Sequence, residues 1–374
     1  MNILYIIDKF PVGGGTETVT RILSHEFILR GHKVCICCFF LYESDVFVNE
    51  QIKIFNFPQE GCTKKNIKYL NKILTDERID IIINQENPIQ TGRLCYKARK
   101  GTKNKLILVH HFSLLMGIHL RCSFLARNLP NCIVHFGKKI KEMHRMNSLY
   151  DWSDIVVLLS SKFIEHYNLL EPCKNLDKLR CIANPLTFEF KPVDLLKKQK
   201  TLIFVARILE KEKRPSLVLD VWKKIHGKHL DWSLIFVGDG PDLPALKEKA
   251  KNLPRIEFSG FQNPCPYFEK ASILLQTSAK DFEGFGLVLV EAQQFGCVPI
   301  AMNSYISLSD IITNEENGLI VPDNDMEVFA EKIELLMNNA ELRRKLAING
   351  IETCRKFSVD KIVNEWEKLF YSLL

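Results

Sequence analysis

From its first residues the chain alternates short, continuous apolar runs with stretches whose apolar residues recur at helical spacing. No other feature constrains the fold as much. In the N-terminal half the apolar runs are NILYII, KVCICCFF, IKIFNF, IDIIIN, KLILVH, DIVVLLS and KLRCI. Between them, Val19, Ile22, Leu23 and Phe27 mark a helix that Gly31 closes. Ile67, Leu70, Ile73 and Leu74 mark a second helix, and a third falls near 88–100. Strands that are apolar on both faces belong in a parallel sheet covered by helices. Residues 184–200, NPLTFEFKPVDLLKKQK, carry two prolines and no period, so the alternation breaks there. It restarts with TLIFVA, WSLIFVG, RIEFSG, SILLQTS and VPIA, with helices from Pro215, from 241 and after Gly286. The expectation is two consecutive doubly wound α/β domains, 1–183 and 201–357, with a linker at 184–200. Residues 358–374 form an amphipathic helix that could cap either domain, the N-terminal one included.

The length of 374 residues suits two domains, and 46% hydrophobic with 25% charged residues is ordinary for a soluble globular chain. The first apolar run, ILYII, is cut off by Asp8 and Lys9, and no run approaches the ~18 apolar residues of a spanning helix. A cytoplasmic location is expected. Cysteines inside apolar strands, as in KVCICCFF, read as buried, reduced thiols.

Charge is uneven. Residues 1–180 hold 26 Lys and Arg against 17 Asp and Glu; the remainder holds 25 against 27. Residues 97–145 have eleven basic residues and one acid, Glu142, interleaved with apolar side chains. Such a face is a solvated surface or one that attracts anionic lipid headgroups or an anionic substrate. No nucleic-acid-binding signature accompanies it, so nucleic acid is not an expected partner.

In doubly wound folds ligands gather at the carboxyl ends of strands, which directs attention to the loops there. After SILLQTS comes AKDFEGFG and then a helix beginning near Gly286, whose first N–H groups make an anion site. Glu283 stands beside that site, and Glu291 lies about 7.5 Å further along the helix axis. Two carboxylates so spaced suit hydroxyls on either side of a diphosphate, Glu283 for a sugar and Glu291 for a ribose. FVARILEKEKRP supplies Arg207, Lys211, Lys213 and Arg214 as cations for phosphate oxygens. VGDG at 237–240 reads chiefly as a tight strand-to-helix turn, and Phe261 in FSGFQ offers a ring for a flat base. Gly13, Gly14 and Gly15 let the first strand's loop approach a ligand closely. Of His110 and His111, one is expected to act as a hydrogen-bond donor, since no ligand set for a metal accompanies them. Asp325 in DND reads as a helix N-cap.

Together these residues resemble the retaining glycosyltransferases of family 4, which have the GT-B fold, two Rossmann-like domains facing a cleft. The resemblance covers essentially the whole chain, and its most specific element is E-x7-E, Glu283 to Glu291. ARILEKEKRP is similar to the family's GR…EK element, with Ala206 in place of glycine and one extra residue before the lysine. The following RP makes Lys213 the better match, with Lys211 the alternative. The family's GGxE, VGDG and NG-L-V elements are matched at Gly14–Glu17, 237–240 and 317–321, and its HN appears as HF, favouring His111.

The resemblance implies that Arg207, Lys213 and the N–H groups of Gly286 and Leu287 hold the donor diphosphate, and that Glu291 holds the ribose. Glu283, Gly284 and Phe285 would hold the transferred sugar. Glu283 and His111 are the implied catalytic side chains. Gly14 and Gly15 join Phe261 in the donor-binding set, although their loop, like His111, lies on the acceptor side. The implied reaction moves a hexose from a nucleotide sugar, UDP-linked by the resemblance, to a glycan or lipid-linked acceptor without metal or cofactor. It would serve cell-surface polysaccharide or lipopolysaccharide synthesis, peripherally on the inner membrane face through residues 97–145. A same-fold UDP-sugar 2-epimerase and a non-catalytic GT-B binding protein are the competing readings.

Overall fold

A computed structural model describes residues 1–12, 14–43, 46–86, 88–113, 116, 131–170 and 176–374. The first of its two units comprises Met1–Thr187 with Val359–Leu374, and the second Phe188–Ser358. Gly13 and, from the basic stretch 97–145, residues 114–115 and 117–130 lie outside the described residues.

The first unit opens with β1 (Asn2–Phe10), α1 (Gly15–Leu29), β2 (Lys33–Leu41), β3 (Lys53–Asn56) and α2 (Lys64–Asp76). It continues through β4 (Ile81–Asn84), α3 (Ile89–Ala98), β5 (Lys105–His110) and α4 (Asn131–Trp152). β6 (Ile155–Leu158), α5 (Phe163–Leu170) and β7 (Leu179–Cys181) complete its sheet. The strand order is β3-β2-β1-β4-β5-β6-β7, all parallel, so the winding reverses between β1 and β4. Leu4, Ile6, Cys35, Cys37, Ile82 and Leu94 are buried in its core. Cys35 and Cys38 have C-x-x-C spacing, yet on a strand they project to opposite faces, and both are free.

The second unit runs through β8 (Gln199–Val205), α6 (Glu210–Lys213), α7 (Pro215–Ile225), β9 (Ser233–Val237) and α8 (Leu243–Ala250). β10 (Ile256–Phe258), α9 (Cys265–Lys270), β11 (Ala271–Gln276), α10 (Leu287–Gln294) and β12 (Val298–Met302) follow. α11 (Leu308–Ile311), β13 (Leu319–Val321), α12 (Met326–Asn338) and α13 (Ala340–Cys354) end it. Its parallel sheet has the order β10-β9-β8-β11-β12-β13 and reverses between β8 and β11. Phe204, Trp222, Phe236, Ile273, Ile300 and Phe329 fill its core. The short strand β13 and the helices α12 and α13 extend this unit beyond the elements expected from apolar runs.

The last helix, α14 (Val359–Leu373), returns to the first unit. Its apolar face, Ile362, Val363, Trp366, Leu369 and Phe370, is buried, with Phe370 against Phe27 of α1 at 5.2 Å between ring centres. Arg30, just past α1, donates to Glu367 at 2.8 Å and also engages Asp360 and Asn364. His32 bonds Glu367 at 2.9 Å.

Candidate functional site

In the second unit the loops leaving β8 and β11 emerge side by side, because those two strands flank the reversal point. They are stitched together by hydrogen bonds. Thr277 Oγ1 donates to the Lys213 carbonyl at 2.8 Å, and the Ala279 amide donates to the Glu212 carbonyl at 2.8 Å. Arg214 adopts a left-handed backbone, and its guanidinium donates to the carbonyls of Thr277 and Ser278, each at 2.6 Å. Asp323 completes that grip at 2.6 Å. Arg214 therefore fastens the two loops, and the DND segment is accounted for by its structure. Asp323 holds Arg214, while Asp325 caps α12 by accepting from the Val328 amide at 3.1 Å.

The stitching brings Lys213 onto Glu283. Its ammonium meets Glu283 Oε1, which also accepts from Ser278 Oγ at 2.6 Å. Both side chains are largely shielded, at 19% and 14% exposure. Lys211 is exposed, as is Arg207, and neither side chain has a hydrogen bond or ion pair among the described residues.

Between Glu283 and Glu291 the chain turns into α10 through Gly286, whose φ of +93° is left-handed. A side chain there would be strained and would press against Tyr305 Oη, 2.8 Å from a built Cβ. Gly284, Phe285 and Gly286 are buried. Among the described residues, no backbone N–H from Gly284 to Val288 has an acceptor in a turn, loop or cap. Buried N–H groups nearly always find a partner, so this run is a concentrated set of donors for an anion or sugar oxygen. Glu291 is half-buried on the second turn, and Phe261, 80% exposed after β10, leaves its ring face open.

Residues without a sequence signal support this turn. Ser307 Oγ donates to the Gly284 carbonyl at 2.8 Å, and Tyr305 Oη donates to Gln276 at 2.8 Å. Burial, then the nearby Glu283 carboxylate, pushes the Tyr305 phenol well up, so it stays a neutral donor. Both lie in the loop after β12, which matches no motif. The VGDG turn is packing: a side chain at Gly238 would run into the Ala206 carbonyl, 1.9 Å from a built Cβ. Asn317 is likewise structural, its side chain accepting from the Thr313 amide and donating to the Ile311 carbonyl.

The remaining predicted residues belong to the first unit. Glu17 accepts from the Gly14 amide at 2.6 Å, so the GGxE glutamate caps its own helix, and Gly14 and Gly15 are exposed. His111 is 7% exposed, and its Nε2 donates to Gln85 Oε1, leaving Nδ1 as an acceptor. Burial holds its pKa down at about 4, so the ring is neutral near pH 7. His110, wholly buried against the Tyr167 hydroxyl at 3.2 Å, is held well below the usual range by burial.

Comparison with known proteins follows the same division. Residues 187–353 match the family model described as glycosyl transferases group 1. Over 99% of this chain and 98% of its own, an α-1,4-N-acetyl-D-galactosaminyltransferase of Campylobacter jejuni, named for a diNAcBac-diphospho-undecaprenol glycan acceptor, is 25% identical. Among solved structures, the lipopolysaccharide outer core galactosyltransferase WaaB superposes over the whole of both chains, with a TM-score of 0.72 at 19% identity. HepE from Anabaena, solved with UDP and glucose, gives a TM-score of 0.75 at 15% identity over 99% of each chain. The chain thus has the GT-B fold of two parallel-sheet α/β domains, is related to a glycosyltransferase along nearly its full length, and matches the group 1 glycosyl transferases through residues 187–353.

Proposed function

We propose that the chain is a retaining glycosyltransferase that moves a hexose from a UDP-sugar to a glycan or lipid-linked acceptor in cell-surface polysaccharide or lipopolysaccharide synthesis. The observation that carries this reading is the run of unbonded N–H groups entering α10, flanked by Glu283 and Glu291 and faced by Lys213. In this reading the diphosphate takes those N–H groups together with Arg207 and Lys213. Fixed dipoles and cations of that kind stabilise the charge that develops on a leaving diphosphate. Glu291 takes the ribose, Phe261 the base, and Glu283 the sugar hydroxyls. His111, neutral and held by Gln85, presents an acceptor nitrogen on the acceptor-binding unit. No step calls for a metal ion.

The names of the relatives support the substrate class, since they act on a lipid-linked glycan and on lipopolysaccharide. Exposed Phe136 and Ile140 on α4, beside Lys139 and Lys141, support attachment to an anionic membrane surface. Co-sedimentation with acidic but not neutral vesicles checks that part.

The central test is a thermal-shift screen of UDP-, GDP- and ADP-sugars with EDTA present. A UDP-sugar should raise the melting temperature by mass action, and product analysis should show an α-linked sugar on the acceptor. An epimerised donor formed without acceptor would establish the epimerase instead. No shift with any nucleotide would sink the donor site.

A further inference from the structure

A second candidate site lies in the first unit. At the carboxyl ends of β1 and β2 and the start of α3, a cavity of about 410 Å³ is lined by Asp8, Phe39, Phe40, Glu60, Gln90 and Thr91. That volume is within the range of small-molecule sites and suits one or two sugar rings. The Phe39 ring is stacked on Phe57, 4.5 Å between centres at 26°, which fixes one apolar wall. Thr91 is 94% buried as a residue (6% exposed), yet its hydroxyl has no hydrogen-bond partner among the described residues while lining the cavity. The packed body of Thr91 fixes its hydroxyl at the cavity wall, where it is open to a ligand as donor or acceptor.

The charge is the informative part. Residues 1–180 carry a clear excess of Lys and Arg, yet the cavity lining has two carboxylates and no cation. Lys9 follows Asp8 on β1, so its side chain projects to the other face. Behind the cavity the Asp8 amide donates to Glu86 Oε1 at 3.0 Å, which adds a third acid to the strand ends. Burial, and then Asp8 and Glu17, push Glu86 up to about 7.

We propose that this cavity seats an uncharged, hydroxyl-rich sugar unit of the acceptor and discriminates against anionic sugars. The proposal deepens the glycosyltransferase reading and rests on it. Asp8 and Glu60 accept charge-assisted hydrogen bonds from hydroxyls, Gln90 and Thr91 contribute neutral polar contacts, and the Phe39 ring, on the Asp8 face, meets the sugar's C–H face. A uronic acid or sugar phosphate would bring a like charge beside two carboxylates with no cation to offset it. Any anionic part of the acceptor is therefore bound elsewhere than in this cavity.

The test uses the full chain saturated with UDP and a panel of methyl glycosides, read by saturation-transfer NMR titration. Methyl glucoside, galactoside and N-acetylgalactosaminide are the neutral probes, and methyl glucuronide and galacturonide the anionic ones. At least one neutral glycoside should bind tenfold or more tightly than its uronide. Gln90→Ala should weaken that binding at least fivefold, and Glu60→Lys should invert the preference towards the uronide. Glu60 and Gln90 are exposed, and an unchanged thermal melt and UDP affinity confirm that the variants are folded.

The proposal is overturned if UDP binds and no neutral glycoside does, if the wild-type chain prefers uronides, or if Glu60→Lys leaves the ratio unmoved. UDP binding is read separately. Its absence would remove the donor reading, while the glycoside ratios would still decide the cavity.

Discussion

Arg207 and Arg214 leave the same strand, and their surroundings differ completely. The Arg207 side chain is exposed and has no partner among the described residues, whereas Arg214 is 14% exposed and bonds two carbonyls and Asp323. Arg207→Ala should therefore leave the melting temperature within a degree or two and weaken UDP binding at least tenfold. Arg214→Ala strands buried acceptors and a carboxylate, which should cost about 3 kcal/mol of stability. Parallel calorimetric melts and UDP titrations separate them; equal loss of stability in both variants would undo the assignment. Both arginines were visible in the sequence as one basic cluster. Their opposite roles were not, because Arg214 depends on Thr277, Ser278 and Asp323, all distant in the chain. Glu86 has the same history. It carries no motif, and its carboxyl is raised to about 7 by burial and by Asp8 and Glu17. A folded pKa above the unfolded one means that its stabilising share is complete below about pH 4.5 and is lost as pH rises through about 7. Glu86→Gln should gain about 2 kcal/mol over wild type at pH 8 and nothing at pH 4.5, as read by urea unfolding at both pH values.

The turn into α10 shows why a sequence discloses a turn more readily than the partners that turn acquires. Gly286, Glu283 and the helix register follow from spacing alone, because a left-handed residue before a buried helix calls for glycine. The Lys213–Glu283 pair depends on two strands being neighbours, and chain order carries no such signal. That pair has a consequence for ligand binding. The cation proposed for the diphosphate is held by the carboxylate proposed for the sugar, so in that reading donor binding must redistribute Lys213. Glu283→Gln should release the lysine and tighten binding of UDP itself several-fold, while turnover of the UDP-sugar falls by two orders of magnitude or more. Isothermal titration with UDP alongside an initial-rate assay checks both halves. A parallel fall in UDP affinity would show that Glu283 merely supports the loop.

Chain order and spatial membership part company at the C-terminus. The amphipathic pattern of 358–374 was plain, but nothing in it selected a domain; the choice is made by Phe27, Arg30 and His32, more than three hundred residues upstream. The chain's last helix is thus part of its first folding unit, while Arg207, Lys213, Phe261, Glu283 and Glu291, the side chains proposed for the donor, lie in the second. Phe370 is fully buried among Phe27, His32 and Trp366. Removing such a ring costs about 3–5 kcal/mol. Because multi-domain chains need not melt in one step, that cost should fall on one transition only. Calorimetry of Phe370→Ala should show the first unit melting earlier, with the second unit's transition unmoved and still raised by UDP. If both transitions move together, or if the UDP-induced shift disappears, the terminal helix supports the donor-binding unit as well, and the division of labour between the units fails.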